Sequence, residues 1–212
     1  MARRLPVYLL LDVSGSMSGE PIAAVQNGVQ TMVSALMADP MALESAFLSV
    51  IAFSNSAEQI VPLTELNQFH PPQLTAGGMT CLGEALSYVA ECAEREVVKN
   101  TPEAKGDWKP LVFIMTDGAA TDDVAKGLAA FRKRKWGIVV ACAAGSGADT
   151  NELSKITEAV VMMDTADSTT ISKFFKWVSA SITTSSKSVG STNKEVASLD
   201  QLPPPPPEIQ IV

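Results

Sequence analysis

A chain of 212 residues, 46% hydrophobic and 18% charged, has the composition of a globular protein and the length for one sizeable domain plus a tail. Sixteen basic residues against 23 acidic ones leave a net charge of −7, which excludes general attraction to nucleic acid or anionic membrane and favours cations. No apolar run reaches the ~20 residues of a membrane span, and the apolar stretch after Ala2-Arg3-Arg4 is too short for a secretory leader, so a cytoplasmic location is expected.

In chain order, the uncharged run Leu5 to Leu11 predicts a buried strand that stops at Asp12. Pro21 then marks a first helical turn. Ile22, Val25, Val29, Met32, Val33 and Leu36 recur at helical spacing up to Ala38, before Pro40. Ser45 to Phe53 predicts a second strand, ended by Ser54-Asn55-Ser56, and Glu58 to Leu63 a shorter one pairing antiparallel with it at the sheet edge. Pro71-Pro72 and Gly77-Gly78 mark an irregular loop before a helix with the stripe Leu82, Ala85, Leu86, Val89 and Ala93. Pro110 to Met115 is a further buried strand, ending at Thr116-Asp117-Gly118. Asp122-Asp123 starts the next helix and Arg132-Lys133-Arg134-Lys135 closes it, each sign suiting its helix pole; phosphate or acidic-patch binding is the other reading of the basic run.

Gly137 to Ala144 and Ala159 to Met163 predict two more strands around a short helix, Asn151 to Thr157. Thr169 to Ile182 then closes the domain as an amphipathic helix. Strands alternating with helices, and one hairpin, specify a three-layer α/β/α sandwich around a mostly parallel central sheet with one short antiparallel edge strand. The domain is expected over residues 1–183. Residues 184–212 read as a Ser/Thr-rich linker and a polyproline tail, Pro203 to Pro207, before the strand-like Glu208 to Val212. That tail is a recognition element, an edge-docking strand or a disordered end. Cys81, Cys92 and Cys142 are odd in number and widely spaced, which supports neither a disulfide framework nor a zinc ribbon. Cys81 adjoins Thr80, and its side chain is expected to face the helix packing, with a reactive thiol as the alternative.

Chemistry concentrates at Asp12-Val13-Ser14-Gly15-Ser16, at the carboxyl end of the first strand. Residues at i, i+2 and i+4 of an extended segment share a side, so Asp12, Ser14 and Ser16 can converge. Hard oxygen ligands with few carboxylates suit a small divalent cation that keeps positions for water or a ligand. Asp117 ends another parallel strand, and two such termini can meet at one rim, where open α/β sheets bind ligands.

This segment, continued by Met17, resembles the Asp-x-Ser-x-Ser signature of von Willebrand factor type A domains, which hold a divalent cation in a metal-ion-dependent adhesion site. Thr80, in Gly77-Gly78-Met79-Thr80, and Asp117, in Thr116-Asp117-Gly118, resemble the family's remaining metal-site residues, in the expected order. The resemblance covers roughly Leu5 to Ile182. It implies that Ser14, Ser16 and Thr80 coordinate through hydroxyls, with Asp12 and Asp117 acting directly or through water, around Mg²⁺ or Mn²⁺. It also implies a partner protein that offers an acidic side chain to the ion. Within the family, Pro6 to Met17 and Gly83-Glu84-Ala85-Leu86 resemble the bacterial tellurite-resistance TerY group, which implies a stress-response scaffold working with other Ter proteins and with kinase and phosphatase partners. The cysteine-rich zinc-binding tail of some relatives has no counterpart, since no cysteine follows Cys142.

The same residues admit two other readings. The bland one has Asp12 and Asp117 capping helices and bonding turn amides. The catalytic one is a Mg²⁺-dependent phosphatase with Asp12 as nucleophile. Such enzymes place a second aspartate two residues on, where this chain has Ser14, and a hydroxyl cannot serve as their acid and base at neutral pH. His70, the only histidine, lies in a Pro-rich loop and reads as surface. A non-enzymatic binding module is therefore expected.

Overall fold

The computed structural model of the chain describes residues 3–191 and 202–211. Among these residues seven strands form one sheet in the order β3-β2-β1-β4-β5-β6-β7. They are β1 (Leu5–Asp12), β2 (Ala46–Phe53), β3 (Ala57–Glu65), β4 (Leu111–Thr116), β5 (Val139–Ala144), β6 (Ala159–Met163) and β7 (Ile209–Ile211). The five strands from β2 to β6 across the sheet run parallel, and β3 and β7 pair antiparallel at the two edges. The expected antiparallel edge is β3, and the tail adds the second. Among the described residues six α-helices cover the faces: α1 (Glu20–Met37), α2 (Pro40–Ser45), α3 (Leu82–Glu96), α4 (Val124–Phe131), α5 (Thr150–Ile156) and α6 (Ser168–Ser191).

Every residue of β1 is buried, because both faces are covered. Its pleat divides the core in two. Leu5, Val7, Leu9 and Leu11 face the layer containing Val25, Val29 and Met32 of α1 and Phe174, Phe175 and Val178 of α6. Tyr8 and Leu10 face Leu86 and Val89 of α3 and Leu128 of α4. Tyr8 is buried whole and donates its hydroxyl to Glu96 Oε2 at 3.0 Å. Burial and the Glu96 charge both push its phenol well above the usual range.

Three elements depart from expectation. Residues 40–45, given no structure by periodicity, form α2: the Asp39 carboxylate caps it, accepting from the amides of Met41 and Ala42 at 3.0 and 3.1 Å, and Pro40 presets its first turn. Second, residues 184–191, expected as the start of a linker, are helical, because α6 runs on through Ser191. Ser181, Ser185 and Ser186 are buried, and Lys187 pairs with Asp39 at 2.9 Å; small hydroxyl side chains let the helix lie close, and Ser181 returns its proton to the Trp177 carbonyl. The expected linker over 192–201 lies outside the described residues. Third, Asp122 and Asp123 serve different helices. Asp123 caps α4 at Lys126, whereas Asp122 accepts the amides of Gly83 and Glu84 at the start of α3, at 3.0 and 2.8 Å.

Among the described residues no helix is long and apolar enough to cross a membrane. Cys81 is half-buried at the N-cap of α3, while Cys92 and Cys142 are buried and free, with burial pushing the Cys92 thiol up to about 11. His70 is exposed.

Candidate metal centre

Strand β1 is flanked by β2 on one side and β4 on the other, so the connections leaving β1 and β4 part at this point of the sheet. The crevice beyond their carboxyl ends is the topological switch point. Asp12 is the last residue of β1, and Asp117 follows the last residue of β4. The loop after Asp12 bends through a short 3₁₀ turn, Gly15–Met17, before α1, with Met17 buried as its anchor.

The hydroxyls and carboxylates converge as the spacing suggests. Ser14 Oγ and Ser16 Oγ lie 3.0 Å apart, and Ser16 Oγ donates to Asp117 Oδ1 at 2.6 Å across 101 residues of sequence. Thr80 arrives from the third loop. A Cβ placed on Gly118 would lie 3.4 Å from Thr80 Oγ1 and 3.8 Å from Ser16 Oγ, so both hydroxyls border the same Gly118 position. Asp12, Ser14 and Thr80 are buried, whereas Ser16 is exposed and Asp117 half-buried, giving the cluster a closed floor and an open rim.

Asp12 is held from two sides. Its Oδ1 accepts the Ser14 amide at 2.7 Å, and its Oδ2 accepts Thr116 Oγ1 at 2.6 Å. Burial pushes the Asp12 carboxyl up from its ordinary value; the hydrogen bonds from Ser14 and Thr116 oppose that rise, and the Asp117 charge adds to it. Among the described residues no salt bridge reaches either carboxylate. Two acids thus sit in one crevice without a protein cation between them.

The loops are tied by backbone bonds. Gly15 N donates to Gly78 O at 3.0 Å and Gly77 N to Val13 O at 2.8 Å, which fixes the Thr80 loop against the Asp12 loop. Gly78 has φ +86, a left-handed conformation that favours glycine, and Asn55 Oδ1 takes the next amide, that of Met79, at 2.9 Å. Thr80 is bracketed by Thr121, whose hydroxyl accepts the Thr80 amide at 3.1 Å while its own amide donates to Thr80 O at 2.9 Å.

All five residues singled out in the sequence, Asp12, Ser14, Ser16, Thr80 and Asp117, lie in this crevice. Sequence reasoning missed Thr116, Thr121 and Asn55, which hold them. Thr116 had a signal, an interior-facing hydroxyl at the end of an otherwise apolar strand; Asn55 and Thr121 lie in turns whose composition is ordinary. Among the described residues no group of three or more His, Cys, Asp or Glu side chains gathers anywhere, so hydroxyls make up the balance of this donor set.

A family model for the von Willebrand factor type A domain matches residues 7–177. No curated protein matches the chain significantly. Among solved structures, a von Willebrand factor type A protein from Catenulispora acidiphila is similar at TM-score 0.64 and 18% identity, covering 87% of this chain and 44% of that one. Proximal thread matrix protein 1 from the mussel byssus, in a form with a zinc-occupied MIDAS motif, is similar at TM-score 0.61 and 19% identity, covering 84% of this chain and 48% of that one. The open conformation of the pilus adhesin SpaC from Lactobacillus rhamnosus GG is similar at TM-score 0.67 and 13% identity, covering 86% and 30%. This chain spans less than half the length of each. At such identities the likeness shows the fold.

Proposed function

The chain belongs to the von Willebrand factor type A family, and from that premise we propose that it is a metal-ion-dependent protein-binding module whose ion is held by Asp12, Ser14, Ser16, Thr80 and Asp117. One observation carries the reading: Ser16 Oγ bonded to Asp117 Oδ1 at 2.6 Å beside Ser14 Oγ, hydroxyl and carboxylate oxygens from two strand ends gathered at a solvent-facing rim. The donor set fits a hard divalent ion. It is all oxygen, it carries two acids without a paired protein cation, and Mg²⁺ or Mn²⁺ takes such ligands. When bound, the ion supplies a Lewis-acidic position that an incoming carboxylate can complete.

The chain's own residues do the rest. Thr116 and the Ser14 amide orient Asp12, which sets the floor of the site; Thr121 orients Thr80; Ser16 and Asp117 lie at the rim, where a partner has access. With Ser14, Ser16 and Thr80 as direct ligands and the two acids acting through water, the ion's inner shell holds no anion, which favours a partner segment bearing Asp or Glu. The zinc-occupied motif of the mussel protein supports divalent binding on this fold. The same reading makes the chain non-enzymatic: Asp12 is 1% exposed with both carboxylate oxygens engaged, poor placement for a nucleophile. The finer proposal is a cytoplasmic scaffold of the TerY kind in bacterial tellurite or chemical stress, with other Ter proteins or a kinase and phosphatase as partners. It rests on Pro6 to Met17 and Gly83-Glu84-Ala85-Leu86.

Thermal unfolding with and without Mg²⁺ or Mn²⁺ tests the site. A ligand that binds only the folded state raises the midpoint by mass action, by about 2.7 kcal/mol of stability at a hundredfold excess over Kd. Asp12→Ala should remove most of the rise. An equal rise in both proteins would put the ion elsewhere and end the proposal.

A further inference from the structure

The far edge of the sheet is closed by the chain's own tail. Strand β7 pairs antiparallel with β6, Met163 opposite Ile209, Met162 opposite Gln210 and Val161 opposite Ile211. Ile209 is 3% exposed and joins the core beneath α6. Upstream, the proline run crosses α6, where Trp177 Nε1 donates to the Pro203 carbonyl at 2.7 Å, and Lys173 pairs with Glu208 at 2.5 Å. An indole reaching a proline carbonyl and a strand added to an open edge are two ways in which proteins hold extended peptides.

The seating is that of a ligand more than of a core strand. Among the described residues three pair, too few to be stable alone, and Ile211 is 65% exposed. Between the proline run and Glu158, Ala159 and Trp177 a cleft of about 420 Å³ opens to solvent along this edge. Ten residues, 192–201, separate this segment from the end of α6. A covalent link of that length holds the tail near the edge at an effective concentration on the order of millimolar, enough to seat a weak ligand.

We infer that the β6 edge and the Trp177 face of α6 form a second docking groove, separate from the metal centre, for a proline-rich segment running through an acidic residue into a short apolar strand. The chain's own tail is its tethered occupant, and a partner protein carrying a segment of the same pattern displaces it. The tail itself states the chemistry required: a free carbonyl at the first proline for Trp177, a carboxylate for Lys173, and an apolar residue to fill the place of Ile209.

The probe is a labelled peptide of residues 202–212, titrated by fluorescence anisotropy into the intact chain and into a chain ending at residue 201. Saturable binding to the shortened chain, at least tenfold weaker for the intact chain because the tethered tail competes, is the expected result. Trp177→Phe, which keeps a ring but removes the donor, should weaken it at least fivefold. Should the shortened chain not fold, Ile209→Asp in the intact chain loosens the tail and leaves the groove residues in place. No binding to either folded variant would overturn the inference, as would equal binding to intact and shortened chains. Concentration-dependent dimers of the intact chain that the peptide dissolves would make a second copy the occupant and overturn the heterologous partner.

Discussion

Among single residues, Thr116 shows how the site depends on a side chain that a motif leaves unnamed. It is 1% exposed, and its Oγ1 supplies the donor on Asp12 Oδ2 at 2.6 Å. Thr116→Val preserves shape and removes that donor, leaving one oxygen of a buried carboxylate unserved. A hydrogen bond to a charged group contributes about 1.5–3 kcal/mol, so urea denaturation should show a loss of that order. Unchanged stability would mean that Asp12 has no need of the threonine. The five proposed ligands were legible because a fixed spacing and strand-end positions are local features. Thr121 and Asn55 were not, because each acts on a backbone group 41 or 24 residues away and nothing near it in the chain marks the contact.

Between elements, the apolar stripes of α1 and α6 predicted amphipathic helices but not their separation. Gly28 sets it. A Cβ there would sit 2.2 Å from Phe175 Cδ2, so the ring of α6 lies on the bare backbone of α1. Gly28→Ala has opposed effects: helix propensity gains about 1 kcal/mol, while forcing a methyl into a packed ring costs about 1–3 kcal/mol. At 2.2 Å the overlap is severe, and Phe175, itself 1% exposed, has no open space to move into. Net destabilisation is expected. A stabilised Gly28→Ala protein in thermal unfolding would show that the two helices can separate freely.

Across the whole molecule, the sheet carries its two proposed sites in different places, the metal centre at the carboxyl ends of β1 and β4 and the peptide groove at the β6 edge. Neither calls for turnover. The purified chain with Mg²⁺ is expected to hydrolyse no generic phosphomonoester; turnover that vanishes in Asp12→Asn would restore the phosphatase reading. By itself, the sequence determined the α/β class, the order of its major strands and helices and the residues that gather at the rim, because hydrophobic period, strand-end acids and hydroxyl spacing are short-range properties of the chain. Only the tertiary structure decided that α6 continues past residue 183, that Asp122 caps a helix 39 residues before it, and that the proline tail ends as the seventh strand. Those outcomes depend on which surface a segment meets. A serine-rich stretch is helical where Ser181, Ser185 and Ser186 can pack, and a short apolar end is a strand where β6 leaves an edge to pair with.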